Sequence, residues 1–333
     1  MNNMIIMNRN TSPISPFTDE DYMVSARITE ENQYPEKEIL RFKENYVKYN
    51  PDFLIEQLEL ANGADEWIQK LMLTFGQEGV LILDPDFFMY EEYAKQMGCP
   101  IHYVNAQADF TFKQADILQA IEEKKPKLFI LSNPHNPIGT QFSEEELHAY
   151  ADAMEAVDGY FVIDEAYIEF GQRDYKRPKG DHVIILRTMS KMYGMAGLRI
   201  GLMYAAGETY EKATNINHPY PINSLTLNLA NQFLENERKV AEFIDYQIAS
   251  KQALKESFTL VSDVIGVVPS ATNFVFTHGD LAPSLREFLE SKGYIARYYD
   301  ENILKNSVRY SILKNEEYLA FQAYIQEWKN SLN

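Results

Sequence analysis

Short apolar runs alternate with helix-like segments through the first two-thirds of the chain, and that alternation leaves few folds open. Positions 58–60, 80–83, 101–104, 128–131, 160–163 and 183–186 read as strands, with a return strand starting at Ile200. Between them, 36–49 reads as a helix with apolar Ile39, Leu40, Phe42, Tyr46 and Val47, and 67–75 as another. A third begins after Ser143, where Glu146 completes a capping box, and runs to about Val157. Strands interleaved with helices predict an α/β protein with a largely parallel sheet. Beyond Pro219 the pattern changes to a long helical stretch at 225–256, followed by strand-like 273–276 and 308–312. The expected organisation is an N-terminal arm at 1–35, a large domain at 36–220 and a smaller α+β domain at 221–333. The prolines within 8–16 exclude a helix there, so the arm is read as irregular: a loose tail, or a segment laid across a partner.

Five polar or aromatic segments fall just after predicted strands, at 62–66, 84–90, 133–139, 164–167 and 188–191. In an open α/β sheet, ligands bind in the crevice at the carboxyl ends of the strands. The small residues Ala61, Gly63 and Ala64 lead into a helix, whose free N–H groups make an anion seat.

The last segment carries the sharpest chemistry. Ser190-Lys191 is followed by Gly194, Gly197 and Arg199. A desolvated lysine is a nucleophile, while Thr188, Ser190 and Arg199 are equipped to hold a phosphate dianion. A nucleophilic lysine beside a phosphate clamp points to a phosphorylated aldehyde held as a Schiff base, which is pyridoxal phosphate. A lone Ser-Lys pair is usually an ordinary loop; convergence with the other four segments gives this one weight.

Composition bounds the partners. The formal net charge of −18 makes nucleic acid and anionic membranes poor ones. A single cysteine, Cys99, excludes an internal disulfide, and no zinc spacing occurs. With no apolar run of membrane-spanning length and no signal-peptide pattern at 1–10, the expectation is a soluble cytoplasmic protein.

Three motifs in order, Asn133-Pro134-His135-Asn136-Pro137-Ile138-Gly139, Asp164-Glu165-Ala166-Tyr167, and the segment from Arg187 to Arg199, resemble the fold type I pyridoxal-phosphate aminotransferases. Within them the chain looks most like the histidinol-phosphate aminotransferases. The resemblance implies a mostly parallel seven-stranded sheet and transfer of an amino group between histidinol phosphate and 2-oxoglutarate. It implies that Lys191 forms the imine and shuttles the proton, that Asp164 pairs with the pyridine nitrogen, and that Tyr167 and Asn136 bond the ring's phenolate oxygen. Phe87 would stack on the ring, where the family usually has tyrosine. Ala64, Asp65, Thr188, Ser190 and Arg199 would hold the phosphate, and Tyr34 would reach it from the neighbouring subunit of a homodimer with shared sites. Arg309 would grip the α-carboxylate of the donor and Arg297 the substrate phosphate; His135 receives no role. The family's arm places a tyrosine shortly after Asn-x-Asn, whereas Asn8-Arg9-Asn10 has none before Tyr22. Two other enzyme readings therefore stay open: a broad aminotransferase, or a decarboxylase of a phosphorylated amino acid such as threonine phosphate. A non-catalytic ligand sensor is disfavoured, since no DNA-binding domain fits before Tyr34.

Overall fold

The computed structural model describes residues 4–332. Among these residues thirteen strands form three sheets. In chain order they are β1 (Ile5–Ile6), β2 (Leu58–Asn62), β3 (Val80–Asp84), β4 (Ile101–Asn105), β5 (Leu128–Ser132), β6 (Tyr160–Asp164), β7 (Val183–Thr188) and β8 (Ile200–Tyr204), then β9 (Gly266–Val268), β10 (Phe274–His278), β11 (Tyr294–Ile295), β12 (Arg297–Tyr299) and β13 (Ser307–Ser311).

The large sheet has seven strands in the order β2-β8-β7-β6-β5-β3-β4. Only β8 runs against its neighbours, so the other six end at one edge. Successive residues feed opposite cores, as a period of two requires. Leu81, Phe129, Leu131, Phe161, Ile163 and Ile185 pack on one face; Val80, Ile82, Leu128, Ile130, Val162 and Ile184 pack on the other. Both faces are covered by helices, which is why these strands read as unbroken apolar runs. The predicted helix at 36–49 is present as Glu36–Tyr49, and the Ser143/Glu146 capping box opens Glu144–Ala156.

The smaller sheet, β12-β13-β10-β9, is antiparallel throughout. The predicted long helix is two, Ser224–Glu235 and Glu237–Thr259, because Asn236 ends the first and its side chain caps the second. The packing does not change at 220/221. Ile222, Leu227, Phe233, Val240 and Phe243 lie in the large sheet's core, whereas Leu254 and Phe258 lie in the smaller one. We propose that the division falls inside the helix Glu237–Thr259.

The arm is more ordered than its prolines suggest. β1 adds to β11 in parallel register, and Met7 is buried in the small core. Residues 19–28 form a helix, with Thr18 and Asp21 making a reciprocal capping box. Its apolar residues Tyr22, Met23, Val24 and Ile28 remain exposed, so no apolar periodicity marked it. A cap, rather than a core face, sets this helix.

Candidate active site

The edge where six strands end carries one pocket lined by all five predicted segments. Its walls include Ala64, Asp65, Phe87, Asn136, Asp164, Tyr167, Thr188, Ser190, Lys191 and Arg199. Register explains the convergence. Ser132 and Asp164 are paired last residues of β5 and β6, and Thr188 ends β7 opposite Gly201 of β8.

The floor on one side is a helix N-terminus. Gly63 precedes the helix Ala64–Phe75 with φ +84°, and no side chain caps it, so its first N–H groups stay free for an anion. A Cβ on Gly63 would stand 2.2 Å from Arg199 Nη2, and one on Gly201 would stand 2.1 Å from the Gly63 carbonyl carbon. Glycine at both positions lets Arg199 and the helix start approach each other. Arg199 itself takes a left-handed conformation, φ 55°, and donates to the Asp65 carboxylate at 2.7 Å. Thr188 Oγ1 donates to Ser190 Oγ at 2.9 Å, which leaves the Ser190 proton free to donate into the pocket.

The opposite wall holds a different charge. Asp164 is 4% exposed, accepting from Tyr90 Oη at 2.7 Å and from the Ala166 N–H at 3.0 Å. Burial is the main cause that pushes its carboxyl up to about 6, against these hydrogen bonds and the Lys191 charge. Next to it, Asp86 accepts from Ser132 and from the Phe87 N–H and is pushed by burial to about 8. Lys191 Nζ lies 5.4 Å from the centre of the Tyr167 ring. The Tyr167 hydroxyl accepts from Asn10 Nδ2 at 3.0 Å, and Phe87 packs edge-on against Tyr90.

This donor set fits pyridoxal phosphate. An uncapped helix start, a free hydroxyl and a guanidinium match a phosphate dianion. A buried carboxylate that makes no ion pair among the described residues matches a protonated ring nitrogen, which would supply a counter-charge in contact with it.

Three predicted residues lie outside the pocket walls. Arg309 borders it: buried on β13, it hydrogen-bonds Asn136 Oδ1, and its Nε has no partner among the described residues. Arg297 is Arg309's cross-strand neighbour but is exposed, with its guanidinium 5.4 Å from the Tyr299 ring centre. Tyr34 is 75% exposed and stacks on Tyr220 at 4.6 Å. Sequence reasoning passed over Tyr90 and Asn10. Tyr90 closes the 84–90 segment and was readable as part of it; Asn10 had no signal beyond its place after Asn8.

The model for "aminotransferase class I and II" matches residues 26–321, and the chain belongs to that family. It is a pyridoxal-phosphate-dependent aminotransferase. It is 32% identical to the histidinol-phosphate aminotransferase of Hydrogenobaculum sp., over 86% of this chain and 81% of that one. It is 30% identical to the enzyme of the same name from Clostridium novyi, over 86% of this chain and 80% of that one. The fold is similar to histidinol-phosphate aminotransferase from Sinorhizobium meliloti solved with pyridoxal-5'-phosphate: TM-score 0.85, 22% identity, covering 99% and 92% of the two chains.

Proposed function

We propose that this aminotransferase moves an amino group between histidinol phosphate and 2-oxoglutarate, as a cytoplasmic enzyme of histidine biosynthesis. The observation that carries the reading is the cross-strand pair Arg297 and Arg309 on β12 and β13, with Arg309 bonded to Asn136 of the Lys191 pocket. Both substrates bring an anionic group to the reacting carbon's neighbourhood, and Arg309 keeps a buried Nε that has no partner among the described residues and can donate to one. Relatives named histidinol-phosphate aminotransferase, matched over most of their length, support the same choice.

Bound pyridoxal phosphate supplies the electron sink for the pair left when the Cα–H bond breaks. Asp164 holds the proton on the ring nitrogen, with Tyr90 fixing its Oδ2. Lys191 would hold the cofactor through Nζ and is the base that would move the proton from the substrate Cα. Tyr167 and Asn136 would hold the ring's phenolate oxygen by donating to it, and Phe87 would pack against the ring. Ala64 and Asp65 through their N–H groups, with Thr188, Ser190 and Arg199, fix the phosphate. Arg297 takes the substrate's phosphate. Tyr34, exposed on its own subunit, reaches the phosphate of a partner in a homodimer.

A half-reaction screen tests this. Histidinol phosphate alone should bleach the bound cofactor's absorbance, and 2-oxoglutarate should restore it. Bleaching by aromatic amino acids but not by histidinol phosphate selects the broad aminotransferase; carbon dioxide released without a keto acid selects the decarboxylase. For the dimer, sedimentation should give twice the chain mass.

A further inference from the structure

Asn10 is a residue that the reaction does not obviously need, yet it is bound on every side. It lies in the arm, is 2% exposed, and has φ 54°, a conformation that costs most residues energy and that asparagine tolerates. Its backbone N–H donates to Ser311 Oγ at 2.9 Å, and its carbonyl accepts from Asn273 Nδ2 at 3.1 Å. Its side-chain Oδ1 meets Ser311 Oγ at 2.8 Å, and Nδ2 donates to Tyr167 Oη at 3.0 Å.

The orientation of that amide follows from its neighbours. The Ser311 hydroxyl is shared as a donor between the Met7 carbonyl at 2.7 Å and Asn10 Oδ1 at 2.8 Å, so the amide oxygen of Asn10 lies on the Ser311 side. That leaves Nδ2 facing Tyr167 as a donor. A phenol that accepts from an amide directs its own proton elsewhere, and the open direction is the pocket. Ser311 sits two residues beyond Arg309 on β13, and Arg309 Nη2 donates to the Asn8 carbonyl at 3.3 Å. Residues 8–10 therefore link the strand that carries Arg309 to the hydroxyl of Tyr167.

We propose that Asn10 is a positioning residue, which makes Tyr167 a hydrogen-bond donor to the cofactor's phenolate oxygen and ties that donor to the substrate-side strand. The inference rests on the proposed placement of Tyr167 against the cofactor. A donor to the phenolate favours the form of the bound cofactor in which that oxygen is not shared with an imine proton, and so lowers the pH at which the absorbance changes. The charged and titratable groups around Tyr167 are Lys191 on the loop after β7, Tyr299 with Arg309 and Arg297 from the small sheet, and Tyr90 with Asp164 behind it.

The test is a pH titration of the loaded enzyme's absorbance in Asn10→Asp and Asn10→Gly, with thermal melting to establish folding. Glycine suits the positive φ, and so retains the backbone path should Asn10→Asp fold poorly. The new carboxylate would take the Tyr167 proton, and the midpoint should rise by about one pH unit, a tenfold change in proton affinity. Asn10→Gly should raise it by less. In a Tyr167→Phe background the Asn10→Asp shift should vanish. A midpoint unchanged in the folded variants, or an undiminished shift without the phenol, overturns the role of Asn10. A wild type that takes up no cofactor would instead refute the placement of Tyr167.

Discussion

Asp164 and Glu165 are neighbours in sequence and both are buried, yet they lie in two regions with opposite electrostatics. Above the sheet edge, Asp164 has hydrogen-bond donors but no ion-pair partner among the described residues, and burial pushes its carboxyl up to about 6 against the Lys191 charge. Below, Glu165 sits in a closed ion network. Arg177 donates to both its oxygens at 2.7 and 3.0 Å, Arg187 donates at 2.7 Å, and the Tyr175 hydroxyl donates as well. Burial would raise Glu165, but Arg177 and Arg187 outweigh it and hold it below the usual range. Arg187 is further satisfied by Glu169, Asn50 and Tyr46. A buried charge whose partners are all protein side chains serves the fold; a buried charge left without one is where a cationic ligand group belongs.

That contrast can be broken by mutation. Lys191→Ala should have the largest effect on function, lowering kcat by about 10^4-fold, as loss of the group that moves the proton requires. Melting should be unchanged, since among the described residues no ion pair involves Lys191. Asp164→Asn should cost about 10^2 to 10^3 in kcat while leaving the cofactor-free protein as stable as wild type or more so. Glu165→Gln should reverse that pattern. It strands Arg187 and Arg177 and should cost about 3–5 kcal/mol of stability, read by denaturant unfolding, with the cofactor's absorbance retained. If both carboxylates behaved alike, the division between them would be lost.

The pH dependence sharpens the comparison. A carboxyl raised in the fold binds its proton more tightly there than when unfolded, so its contribution to stability declines as pH rises from about 4 to about 6. The cofactor-free wild type should therefore lose stability relative to Asp164→Asn across that window and track it above. Glu165, lowered in the fold, contributes stability above the unfolded carboxylate range, lost only as pH falls through it. Stability measured against pH in each variant relative to wild type isolates each group. The smallest effect belongs to Tyr90→Phe, which removes one donor from Asp164 and should weaken cofactor affinity about tenfold.

The same contrast explains what the sequence disclosed. The large sheet was legible because strands buried on both faces must be apolar throughout, and the pocket because its residues cluster just past strand ends. The Glu165 network was not legible: its members come from separate segments, and nothing in a chain marks which arginine will find which acid. Nor was the arm, where the Thr18 cap and the two residues of β1 are weaker signals than prolines. Asn10 was hidden for the same reason, since its partners Tyr167, Asn273 and Ser311 lie 157 to 301 positions away.

The central claim is that the uncompensated pocket above Asp164 holds pyridoxal phosphate on Lys191. Borohydride reduction of the cofactor-loaded enzyme, followed by peptide mapping, tests it directly. The account predicts one stable adduct, on the peptide containing Lys191, absent in Lys191→Ala. An adduct on another lysine, or none in a protein that remains yellow, would contradict it.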